Sequence, residues 1–174
     1  MKKLFFISFF LIASCSKSGD LVMSKNAKDI IGNNNYPAIS YGGYRGKSRE
    51  VQPSIVDIKE DLKIMFAQGF RVIRTYDLHH PFAENTLKAI SELKNSDSDF
   101  EMYVMLGAWI QCKDAFTDLP IHNEEDLEGN KVEIAEAVRL AQDYQDIVKV
   151  IAVGNEAMVH WATSYHLEPK YILK

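Results

Sequence analysis

From Tyr36 onward, short apolar runs alternate with stretches whose apolar residues recur at helical spacing. Residues 38–43 read as a short strand that ends in Gly42 and Gly43. Pro53 then opens a helix over residues 53–68, since a first-turn proline gives up only an N–H that the helix leaves unpaired. Ile55, Ile58, Leu62, Met65 and Phe66 share one face of that helix, and Gly69 stands where a helix C-terminal glycine belongs. Residues 70–76 form the second strand and 83–94 the second helix, with Leu87, Ile90, Ser91 and Leu93 near its buried side. Residues 102–108 form the third strand, 132–145 the third helix, and 148–153 a fourth strand that is β-branched nearly throughout.

Strands with continuous apolar runs, separated by helices, argue for a parallel α/β sheet covered on both faces. A doubly wound sheet and a (β/α)8 TIM barrel both fit. Periodicity does not separate them; the residues at the strand ends have to.

The first residues stand apart from this pattern. Lys2 and Lys3 precede an apolar stretch over residues 4–13, too short for a permanent membrane span and of the form of a signal peptide. Ile12-Ala13-Ser14-Cys15 resembles the lipobox of bacterial lipoproteins, in which the cysteine carries the lipid. The resemblance implies a signal peptide over residues 1–14, lipidation of Cys15, and an exported protein anchored to a membrane, with Ser16 pointing to the outer one. Acyl chains hold such a protein by about 0.8 kcal/mol per buried methylene. Residues 15–35 carry the lipidated Cys and a tether rich in Lys, Ser, Asn and Gly, and residues 36–174 are the folded part.

Charge and cysteine count remove several classes. A net charge of −4 gives no basic face for nucleic acid. With Cys15 and Cys112 as the only cysteines, neither a disulfide framework nor a zinc pattern forms. Gly46-Lys47-Ser48 suggests a phosphate loop, but the required first glycine falls at Tyr41 and Pro53 delays the helix, so nucleotide binding is excluded. His79 and His80 are placed in a loop, His160 and His166 on a solvated helix, and Glu124, Glu125, Asp126 and Glu128 in a solvated loop and helix start.

In both candidate architectures, function collects beyond the C-terminal ends of the parallel strands. Tyr41 to Arg45 follow the first strand, Arg74 to Asp77 the second, Gly107 to Trp109 the third and Gly154 to Glu156 the fourth. A carboxylic acid fixed at a strand end and partly desolvated stays protonated near neutral pH and serves as a general acid. The asparagine before it offers donors and an acceptor to a substrate hydroxyl.

Val153-Gly154-Asn155-Glu156 resembles the acid/base signature of the retaining glycosidase clan, in the form used by glycoside hydrolase family 17, the β-1,3-glucanases. Tyr41-Gly42-Gly43-Tyr44-Arg45 is similar to the end of strand one in bacterial members, Gln52-Pro53-Ser54 to the start of their first helix, and residues 70–76 to their second strand. The resemblance extends over residues 41–165. It implies a (β/α)8 barrel and a β-glucan substrate, with no metal and no cofactor. It makes Glu156 the general acid/base and Asn155 the ligand of the sugar hydroxyl next to the reacting carbon. Arg74 becomes the residue that holds the nucleophilic carboxylate, with an ion pair to Asp77 as the alternative. Tyr41 and Tyr76 line the site or pack the barrel mouth, and Trp109 is a stacking platform for glucose.

In that family the nucleophile comes from strand seven, and a full barrel needs around 250 residues. The resemblance therefore implies that residues 36–174 hold strands one to four, ending in the helix after strand four, as an incomplete barrel that is inactive alone. Hydrolysis and transglycosylation draw on the same visible residues, and a non-catalytic glycan-binding lipoprotein is the alternative of a different class.

Overall fold

The structure is a computed structural model that describes residues 25–173. The expected signal peptide, Cys15 and the start of the expected tether lie outside the described residues. In chain order the elements are α1 (Ala27–Ile30), β1 (Ala38–Ser40), α2 (Ile55–Ala67), β2 (Val72–Arg74), α3 (Phe82–Ser96), β3 (Tyr103–Ala108), β4 (Cys112–Lys113), β5 (Ile121–Glu125), α4 (Leu127–Asp143), β6 (Val148–Val153) and a 3₁₀ turn at Pro169–Tyr171. None of the described helices is long and apolar enough to cross a membrane.

Strands β1, β2, β3 and β6 pair in parallel, in that order across the sheet. A doubly wound sheet reverses its strand order at a switch point; these four strands show no reversal. Side chains alternate across the sheet with period two. One face carries Ile73, Val104, Leu106 and Ala108, which pack with Ile58, Leu62, Leu87, Ile90 and Leu140 of the helices. Truncating one of these fully buried Leu or Ile side chains to Ala costs roughly 2–5 kcal/mol.

Among the described residues the opposite face carries only the four-residue helix α1. Ile30 of α1 and Tyr36 cover its lower end by packing on Val72 and Tyr103. Above them Ser40, Arg74 and Met105 stand level in register, beside a hollow of about 270 Å³. Among the described residues the long helices α2, α3 and α4 thus cover one side only, where the apolar runs predict cover on both. The end of the expected tether is also built into the fold. Ile30 is buried, and Lys25 bonds Glu101 at 2.9 Å and the Tyr36 hydroxyl.

Helix α2 begins at Ile55, two residues later than a first-turn Pro53 requires. Ser54 is the N-cap and forms a reciprocal capping box with Asp57, its backbone N–H donating to the carboxylate at 3.0 Å. The Ser54 hydroxyl, donating to Asp57 Oδ2 at 2.6 Å, and then that backbone bond hold the Asp57 carboxyl below its ordinary value. Helix α4 begins at Leu127, five residues before the expected 132, because Asp126 caps it by accepting from Gly129 N–H at 3.1 Å. The acidic run before it is not a plain loop, since Ile121–Glu125 pairs antiparallel with Cys112–Lys113 as a hairpin inserted between β3 and α4. A Lys113–Glu124 ion pair of 2.8 Å spans that hairpin.

The expected helix after the fourth strand is replaced by turns. Leu167 N–H donates to the Ala157 carbonyl at 2.8 Å and closes a loop, and both side chains pack with Ile110 and Cys112. His160 and His166 therefore lie on no helix. His166 stacks on His122 of β5, ring centroids 3.7 Å apart.

Candidate functional site

The upper ends of β2, β3 and β6 meet at one rim. Arg74 is the last residue of β2 and, by alternation with buried Ile73, stands on the face opposite the long helices. Its Nη2 donates to Asn155 Oδ1 at 2.9 Å, reaching across β3 to the residue two beyond the end of β6. Asp77 pairs with His80 at 3.4 Å, so the alternative partner expected for Arg74 is engaged elsewhere. The Arg74 Nε is buried and has no hydrogen-bond partner among the described residues. A buried guanidinium N–H left without an acceptor costs free energy, and a carboxylate is the acceptor its fork fits best. Tyr76 lies at the same rim, its ring 5.4 Å from the Arg74 guanidinium carbon.

Strand β3 comes close to the turn after β2. A Cβ on Gly107 would stand 2.4 Å from the Thr75 carbonyl oxygen and 2.6 Å from Tyr76 Cα, so only glycine lets the two backbones meet there. Buried Thr75 adds a bond, its Oγ1 accepting from Gly107 N–H at 3.1 Å.

The turn after β6 presents the acid. Gly154 has φ +76° and Glu156 φ +51°. A left-handed backbone is uncommon for a residue with a side chain, and such conformations cluster at functional sites. The Glu156 side chain is exposed, and its Oε2 accepts from the Tyr165 hydroxyl at 3.3 Å. The partial desolvation expected at this strand end is not present among the described residues, because the turn carries the carboxylate outward. Burial and the adjacent Glu156 charge push the Tyr165 phenol up.

Tyr41 does not line this rim. It is buried in the helix-side core against Phe82, and its hydroxyl donates to Asp61 of α2 at 3.0 Å. Burial first, and that bond second, push its phenol well above the usual range. Arg45 follows it outward and pairs with Asp61 at 2.8 Å. The glycines between them serve this packing. Gly43 has φ +57°, and a Cβ there would meet Phe82 at 2.7 Å.

Trp109 sits just past β3. Its Nε1 donates to Gln111 Oε1 at 3.1 Å, and its ring lies 4.7 Å from that of Tyr165, centroid to centroid. The residue that fixes this loop went unrecognised in the sequence. Glu133 of α4 is only 3% exposed. Its carboxylate accepts the backbone N–H of Leu78 at 2.8 Å, the backbone N–H of Trp109 at 2.8 Å, and pairs with His79 Nδ1 at 2.8 Å. One buried acid thus ties the loop after β2 to the loop after β3. The hydrogen bond to Glu133 raises the His79 pKa above its ordinary value, against the opposing effect of burial. Asn130, one turn earlier, adds a second peg by accepting from Gln111 N–H at 3.0 Å and donating to its carbonyl at 2.9 Å. A hollow of about 910 Å³ borders these pegs on the α4 side, and neither Asn155 nor Glu156 lines it.

No family model matches the chain, and no curated protein matches it. Among solved structures the chain is similar to an endo-laminarinase from Formosa Hel1_33_131, with 60% identity and a TM-score of 0.83 over 86% of this chain. It spans 38% of the length of that protein.

Proposed function

We propose that this chain is the N-terminal part of a retaining β-1,3-glucan hydrolase of glycoside hydrolase family 17, and that its parallel sheet is the first half of a (β/α)8 barrel. The observation that carries this is the Arg74–Asn155 bond beside Glu156, formed between residues 81 apart in sequence at one strand-end rim. Likeness to an endo-laminarinase at 60% identity supports the β-glucan substrate. The in-order strands and the Arg74 face opposite the long helices suit a sheet that curls with that face inward.

In this reading Glu156 gives its proton to the leaving glycosidic oxygen and later takes one from the attacking water. Asn155, oriented by Arg74, holds the hydroxyl next to the reacting carbon. Retention needs a second carboxylate about 5–5.5 Å from the first, which attacks that carbon to form a glycosyl-enzyme. It comes from a later strand of the barrel, and Arg74 Nε is the donor placed to receive it. Trp109 and Tyr76 border the sugar. Cys15 is the lipidated residue of an exported, membrane-held protein, supported by Lys2, Lys3 and the residues 12–15.

The test is to treat laminarin with the complete barrel that carries this chain as its N-terminal part, and to follow the new reducing end by proton NMR. The β-anomer appears first if the reading is right. No turnover of laminarin, or first appearance of the α-anomer, contradicts it.

A further inference from the structure

We infer that Phe116, Tyr165 and Trp109 form a stacking subsite for a glucosyl ring next to the one cleaved at Glu156; this rests on the β-glucan reading above. Phe116 lies between β4 and β5 and is 63% exposed, so packing does not account for it. Its backbone is left-handed, with φ +62°, a conformation that a residue with a side chain rarely adopts. The position is nevertheless fixed, because Phe116 N–H donates to the Ser164 carbonyl at 2.8 Å. The hairpin is thereby fastened to the loop that carries Tyr165.

The three rings gather closely. Phe116 stacks on Tyr165 with centroids 5.4 Å apart and planes 28° apart, and on Trp109 at 6.3 Å with the same angle. The Tyr165 hydroxyl reaches Glu156, so one ring belongs both to this cluster and to the surroundings of the acid. The indole N–H of Trp109 is taken by Gln111. What Trp109 and Phe116 offer a ligand is therefore ring surface and no donor. A β-linked glucose ring carries its hydroxyls around the rim and axial C–H groups on its faces. Those C–H groups suit the electron-rich faces of aromatic rings, and the rim hydroxyls stay in water. The hairpin holding Phe116 is the insertion that the sequence pattern did not predict.

Binding of laminarihexaose to the complete barrel that carries this chain, read by tryptophan fluorescence with cellohexaose as control, tests the subsite. Phe116→Ala is expected to bind about tenfold more weakly, the equivalent of one lost ring stack. Phe116→Tyr should bind as the native protein does, and Phe116→Leu, apolar but without a ring, should fall with Phe116→Ala. If the native protein binds and Phe116→Ala or Phe116→Leu matches it within twofold, the subsite is wrong and the glucan reading stands. If the native protein does not bind laminarihexaose, the glucan reading and the subsite fall together.

Discussion

The Arg74 guanidinium at the end of β2 donates to the Asn155 side-chain carbonyl beyond the end of β6, 2.9 Å away and across the intervening β3. This bond fixes which way the Asn155 amide points. With its oxygen held by arginine, its N–H groups are the ones left, in the proposed reading, for a sugar hydroxyl.

Arg74→Lys tests that role. A lysine keeps the charge but presents a compact ammonium on a flexible stem in place of a planar fork. Displacing a positioning group by an ångström costs on the order of a hundredfold in rate. Laminarin hydrolysis by Arg74→Lys should fall by about that factor in kcat/KM. A variant within twofold of native would show that Asn155 needs no such anchor.

Glu133 is a stability prediction. Glu133→Ala strands the backbone N–H groups of Leu78 and Trp109 in a buried place. Each stranded donor costs about 1–3 kcal/mol, so the variant should lose roughly 2–5 kcal/mol in urea unfolding. Glu133→Gln keeps a carbonyl oxygen for those donors and should lose less. Equal stability of Glu133→Ala and the native protein would contradict the clasp.

His79 gives the clasp a pH dependence. Its folded pKa is raised, chiefly by the bond to Glu133, with Asp77 and Asp126 adding to the effect. A raised folded pKa stabilises the fold fully below the unfolded histidine value and loses that contribution as pH rises through the folded value. Urea unfolding of native protein and His79→Ala, compared from about pH 5 to about pH 9, should show a gap that narrows toward the alkaline end. A gap that widens with pH would mean that His79 stabilises only as the neutral ring.

The order of the main strands and helices was legible because each long helix carries an apolar stripe and each sheet strand an apolar run, as in Ile58–Leu62–Met65 and Val148–Val153. The boundaries were less so. Pro53 drew the start of α2 forward, although Ser54 and Asp57 carry the stronger capping signal. The β4–β5 hairpin escaped because Cys112–Lys113 is two residues long and His122-Asn123-Glu124-Glu125 has no apolar alternation. Asn155, Glu156 and Arg74 were singled out by their place at strand ends, and the structure brings Arg74 and Asn155 into contact. Tyr41 follows a strand in the same way, yet it turns into the core, since nothing in its spacing told of Asp61 on α2 waiting for its hydroxyl. Glu133 was hidden for the opposite reason. A glutamate within a helix of mixed polarity reads as solvated, and only tertiary structure shows the two loop amides above it.

In the proposed mechanism Glu156 moves the proton. Glu156→Gln keeps the shape of the side chain and removes its acid, and its kinetics should be compared on two substrates. On laminarin, whose leaving group needs a proton, kcat/KM should fall by about 10²–10⁴-fold. On an aryl β-glucoside with a strongly acidic phenol as leaving group, the first step should be nearly unaffected, because that phenolate departs without help. Native turnover of laminarin by Glu156→Gln, or an equal loss on both substrates, would contradict the assignment.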